Sequence, residues 1–156
     1  MKTKILPWAI TLLLFISCTS DDSVFSNETP PENLSSIEQE IFTLINNYRA
    51  SINKTPLAHN TIAYQEAFKH NQYMISQNAI SHDNFDDRFS KLVTEVSANS
   101  VGENVARYYT TAQEVVNAWI ESPSHKENIE GNFSHTGISA IKDNQGRYYF
   151  TQLFYK

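Results

Sequence analysis

Residues Arg147 to Tyr155 alternate as a strand should, yet both of their faces are apolar. Tyr148, Phe150 and Phe154 point one way; Tyr149, Leu153 and Tyr155 point the other. A strand of this kind belongs to a sheet covered on both sides, because a sheet with one solvated face carries polar residues at alternate positions. A partner strand, His135 to Ile141, precedes it, and Asp143-Asn144-Gln145-Gly146 supplies the hairpin turn. The segments upstream read as helices. Together these features predict an α/β (α+β) domain, a three-layer α-β-α sandwich around a mainly antiparallel sheet.

The helices have legible ends. Ser35 with Glu38, or Ser36 with Gln39, offers a capping box. Ile37, Ile41, Leu44, Ile45 and Tyr48 then recur at helical spacing until Asn53 and Pro56. A second helix starts near Asn60 or Thr61 and runs to about Asn78, with Ile62, Ala63, Ala67 and Met74 inward. His70 shares that side and reads as a core histidine. Phe85-Asp86-Asp87-Arg88-Phe89 opens a short helix ending near Val96, its adjacent acids serving a solvated start, since neighbours in a helix point to different sides. Ser97 to Ser100 reads as a loop. Thr111 to Glu114 starts another helix, whose buried face is Val115, Val116, Ala118, Trp119 and Ile120. Ser122-Pro123 restarts a helix, with Ser122 as N-cap and Pro123 in its first position.

That restart places His125 in a first turn, where free N–H groups and the positive end of the helix dipole disfavour imidazolium. A neutral imidazole is what a metal or a proton acceptor requires. His82 and Glu103 stand in two other particular segments, Ser81-His82 and Val101-Gly102-Glu103-Asn104-Val105-Ala106. If these three side chains converge, they can hold a divalent cation or move protons. Tyr108, Tyr109 and the strand aromatics fit either core or cleft lining, and core is the favoured reading.

Residues 1–17 read as a lipoprotein signal peptide. Lys2 and Lys4 precede an apolar run from Ile5 to Ile16, too short to span a bilayer, which needs roughly 20 residues. Phe15-Ile16-Ser17-Cys18 resembles a bacterial lipobox, with Cys18 as the acylated residue; being the chain's single cysteine, it has no internal disulfide partner. Thr19-Ser20-Asp21-Asp22-Ser23 resembles the surface-export tract of Bacteroidota lipoproteins, which implies an outer-membrane anchor and exposure at the cell surface. Residues 18–33 form a polar tether, and 34–156 a single domain, taken as a monomer. Losing Lys2 and Lys4 moves the formal charge from −5 to −7. This balance excludes nucleic acid as a partner, since phosphate recognition needs clustered Lys and Arg. Attachment to the membrane would come from acyl chains, each buried methylene contributing roughly 0.8 kcal/mol.

Leu44 to Arg49, Pro56-Leu57, Ser81-His82, Gly102 to Ala106, Trp119 to Ile129 and Phe133 to Ile138 together resemble the CAP superfamily, the SCP/PR-1-like domains, in its compact bacterial form. The resemblance covers essentially all of Leu34–Lys156 and implies the CAP sandwich with a cleft of two histidines and two acids. His82, Glu103 and His125 match three positions. Glu121 is the candidate for the fourth, one residue early, with a solvated helix-end glutamate as the alternative. The resemblance implies that His82 and His125 bind Zn²⁺ or another divalent ion weakly, with water completing the shell. Glu103 would orient a histidine or a bound water, and Asn104 would fix the local turn.

The function implied is a binding module for a small-molecule, lipid or protein ligand. One alternative is a metal-assisted hydrolase using Glu103 as base with His82 and His125; another is a lipid or sterol carrier. Binding is favoured over catalysis because the sequence offers no evident third ligand, oxyanion-hole motif or Gly-x-Ser-x-Gly elbow.

Overall fold

A computed structural model describes residues 33–156; the segments expected to be a signal peptide and most of a tether, with Cys18, lie outside the described residues. The elements are α1 (Ser36–Ser51), β1 (Ala58–His59), α2 (Thr61–Gln77), α3 (Phe85–Val96), β2 (Val101–Arg107), α4 (Ala112–Glu121), α5 (Pro123–Glu130), β3 (His135–Lys142) and β4 (Tyr148–Tyr155). The sheet order is β1-β3-β4-β2, antiparallel except for the short parallel pairing of β1 with β3. Helices cover both faces, as the two-sided apolar pattern of β4 requires. Phe150 and Phe154 pack with Ile138 and Ala140 against α1, α4 and α5 through Ile41, Ile45, Val115, Val116, Trp119 and Ile129. On the other face, Leu153 and Tyr155 meet Ala63, Ala67 and Leu92 of α2 and α3, and Tyr149 meets Met74 and Val105. Each fully buried side chain of this size contributes about 1.5–3 kcal/mol.

Local chemistry accounts for most boundaries. Glu38 accepts the Ser35 N–H at 2.7 Å and so selects the first of the two possible capping boxes. Asn60 caps α2 by accepting the Ala63 N–H at 2.9 Å, and Asn78 ends it in the left-handed conformation. Gly146, at φ 77°, closes the β3–β4 hairpin, where Asp143 accepts the N–H groups of Gln145 and Arg147.

Three expectations need correction. The Gly102-Glu103-Asn104 segment is a full strand, β2, at the sheet edge, and the two-residue β1 was also not foreseen. Tyr108 and Tyr109 are not core: they are 40% and 36% exposed. Tyr108 follows β2 at φ 73°, a turn that brings its ring beside the guanidinium groups of Arg107 and Arg147, at 4.6 and 4.5 Å. Ala118 and Ile120 are only partly buried, although Ile120 still packs against the core, and the fully buried face of α4 is Ala112, Val115, Val116 and Trp119.

Side chains from the helices satisfy groups that the sheet leaves open at its margins. Glu38 accepts the Ala140 N–H at 2.8 Å on the outer side of β3, beyond the end of β1. Trp119 Nε1 donates to the Val105 carbonyl at 3.3 Å, and Asn128 Nδ2 to the Glu103 carbonyl at 3.0 Å, on the outer side of β2. The buried Arg49 guanidinium donates to the carbonyls of Thr55, Ile129, Gly131 and Phe133, tying the end of α1 to the segment after α5.

Candidate functional site

Glu103 lies near the middle of β2, and its side chain is almost fully buried, at 2% exposed. A buried carboxylate must be neutralised and hydrogen-bonded. Arg88, from the first turn of α3, does most of this. Its Nε donates to Oε2 at 2.7 Å and its Nη2 to Oε1 at 2.8 Å, a fork-to-carboxylate pairing. The third partner is His82, whose Nδ1 lies 2.7 Å from Oε1. Burial pushes the Glu103 pKa up, but hydrogen bonds from His82 and Arg88, with the Arg88 charge, more than reverse this and hold it below the ordinary carboxylate value. An ionised carboxylate only accepts, so His82 must carry its proton on Nδ1. In the neutral ring, Nε2 is then a free lone pair on a side chain that is 56% exposed.

His125 occupies the first turn of α5 as foreseen. Burial pushes its pKa down, and the charge of His82 lowers it further. The His125 ring has no hydrogen-bond partner among the described residues. Asn104, next to Glu103 on β2 and fully buried, holds α5 in place. Its Nδ2 donates to the His125 carbonyl at 3.0 Å, and its Oδ1 accepts from Asn128 Nδ2 at 2.9 Å. Asn104 therefore bridges strand and helix and does not fix a turn. Gly102 makes room for this bridge, since a Cβ there would lie 2.7 Å from Asn128 Oδ1.

The strand thus links the candidate residues: Glu103 takes the His82 ring, and Asn104 takes the backbone of His125. Glu121 is not drawn in. It stands exposed at the end of α4, with no hydrogen bond to His82, Glu103 or His125. Among the described residues no group of three or more His, Cys, Asp or Glu side chains is placed to hold a metal. A cation here would rest on the two imidazoles and water. The donor chemistry fits that arrangement: one imidazole is oriented by a carboxylate through its other nitrogen, and the second, without a hydrogen-bond partner among the described residues, is biased by burial toward its neutral form.

Arg88 escaped the sequence reading, because a charged residue after two aspartates looks like part of a solvated helix start. One signal was available: Arg88 lies four residues before Leu92, the buried residue of α3, and so shares its inward face. His70 is buried, 3% exposed, in agreement with its reading as a core residue. Its Nε2 donates to the Ser81 carbonyl at 2.8 Å and lies 3.9 Å from Glu103. Burial dominates the downward shift of its pKa.

Residues 42–154 match the model of the cysteine-rich secretory protein family, CAP. The Bacillus subtilis protein YkwD, described as uncharacterized, is 28% identical over 116 residues, which is 72% of this chain and 45% of that protein. The chain therefore spans about half the length of the curated relative it matches. An outer surface protein of Borrelia burgdorferi superposes with a TM-score of 0.69 at 25% identity, over 76% of this chain and 90% of the other. An extracellular protein of Bacillus anthracis containing an SCP domain shares the fold, with a TM-score of 0.67 at 24% identity over 81% of this chain and 45% of that one.

Proposed function

The chain belongs to the cysteine-rich secretory protein family, and from that premise we propose that it is a binding module of the cell envelope whose cleft holds a divalent cation between His82 and His125. The observation that carries the proposal is the hydrogen bond from His82 Nδ1 to Glu103, which in the neutral ring leaves Nε2 as a lone pair, with burial at His125 favouring the neutral imidazole. A site of two imidazoles and water binds more weakly than a closed four-ligand zinc site and keeps positions open. When bound, the ion supplies a Lewis-acid contact for a ligand oxygen. The lipobox at Cys18 and the likeness to an outer surface protein support location at the envelope, lipid-anchored in the outer membrane.

Binding is favoured over hydrolysis by the state of Glu103. Both of its oxygens are engaged by Arg88 and His82, and its pKa is held low, so it orients a histidine and is poorly placed to take a proton from water. Titration with Zn²⁺ tests the reading. Wild-type protein is expected to bind one ion reversibly, and His82→Ala combined with His125→Ala to abolish it. Equal binding by wild type and the double variant would exclude the cleft. Cleavage of a peptide or ester by the zinc-loaded wild type, lost in the double variant, would move the assignment to a hydrolase.

A further inference from the structure

His82 sits in the connection between α2 and α3, outside any helix or strand, and its ring is mostly exposed. An exposed side chain on a loop normally loses considerable freedom when it binds a ligand. Here the backbone around it is already fixed at three consecutive carbonyls. His70 Nε2 donates to Ser81 at 2.8 Å, the Phe85 N–H donates to His82 at 3.2 Å, and Arg88 Nη1 donates to Asp83 at 2.7 Å. Tyr73, whose ring stacks on His70, also donates its hydroxyl to the Asp83 carboxylate at 3.0 Å.

Two of these donors are expensive to bury. His70 and Arg88 are 3% and 5% exposed. A phenylalanine would fill the space of His70 and stack on Tyr73 without a polar nitrogen to satisfy. The nitrogen that is present points at the carbonyl immediately before His82. Arg88 reaches the carbonyl immediately after it with one arm of the guanidinium, and with the other two donors it orients the carboxylate that fixes the His82 ring. We infer that His70 and Arg88 are positioning residues for the ligand-binding imidazole of His82. His70 acts through the Ser81 carbonyl; Arg88 acts through both the Asp83 carbonyl and the Glu103 carboxylate. The inference deepens the cation-binding reading of the cleft and rests on it.

The test uses Zn²⁺ alone, with affinity measured by competition against a chromophoric chelator. Arg88→Lys keeps the charge but loses the three-way fork, and His70→Phe keeps the ring but loses the donor. Each is expected to weaken zinc binding roughly ten- to a hundredfold, the range seen when partners behind a metal ligand are removed. His70→Gln, which restores a donor, should recover most of the affinity. A second readout is the ¹⁵N spectrum of the His82 imidazole in metal-free protein, at a pH above the His82 pKa where the ring is neutral; wild type should show the Nδ1–H tautomer and Arg88→Lys a mixture. Wild-type affinity in folded Arg88→Lys and His70→Phe would overturn the inference, as would a His70→Gln no better than His70→Phe. If Arg88→Lys does not fold, the His70 pair decides. Absence of zinc binding by wild type would instead sink the cation reading, and an unchanged tautomer in Arg88→Lys would then overturn the positioning role of Arg88 separately.

Discussion

Glu103 is a carboxylate nearly out of reach of water, and it persists as an anion because Arg88 and His82 together supply three donors. Replacing it with glutamine leaves the Arg88 guanidinium buried without a counter-charge. Breaking a buried pair from one side costs about 3–5 kcal/mol, so Glu103→Gln should shift the urea midpoint well down at pH 7. The pH dependence has a definite sign. The folded pKa of Glu103 lies below its unfolded value, so its stabilisation is complete above about 4.3, the ordinary value. That stabilisation is lost as pH falls through the folded pKa. The gap between wild type and Glu103→Gln should therefore narrow in acid; a gap that stays constant from pH 7 to the acid limit would show that the carboxylate charge is not what stabilises. His70 and His125, both lowered by burial, lose their contribution as pH falls below about 6.5, whereas His82, raised by its hydrogen bond to Glu103, loses its contribution as pH rises through its own pKa.

Helix α2 lies unusually close to the sheet. A Cβ built on Gly137 of β3 would stand 2.0 Å from the Tyr64 amide nitrogen and 2.2 Å from the Ala63 carbonyl carbon, both backbone atoms with little room to yield. Gly137→Ala must push α2 outward, together with His70 and the connection that follows. Overpacking commonly costs 1–3 kcal/mol, and this site should reach about 3 kcal/mol in chemical denaturation; a change under about 1 kcal/mol would mean that the close approach is dispensable. The same scale shows what the sequence could reveal. The β3–β4 hairpin was legible because its alternation and turn are local, and α5 because Ser122-Pro123 announces it. Strand β2 was not, since glycine, glutamate and asparagine have low strand preference and the side chains of Glu103 and Asn104 find their partners in Arg88, His82, His125 and Asn128 from distant segments. That Glu103 orients a histidine or a bound water was an expectation from resemblance; its partner His82 and its dependence on Arg88 needed the tertiary structure.

The domain as a whole places the candidate cleft on an edge strand braced by a helical layer on each side, with α2 and α3 fixing His82 and α5 carrying His125. Among the described residues no helix is long and apolar enough to cross a membrane. Under the proposed anchoring, the attachment is made by the acylated Cys18. Cys18→Ala should move the protein from the membrane fraction to the soluble fraction while its circular dichroism and zinc affinity stay at wild-type values. Persistence in the membrane fraction would show that another part of the chain holds it there. The side chains that close the sheet margins carry a further consequence. Glu38 occupies the outer Ala140 N–H, and Trp119 and Asn128 occupy the outer Val105 and Glu103 carbonyls. A foreign strand approaching either margin would have to displace these groups, which works against edge-to-edge pairing between crowded copies of the domain.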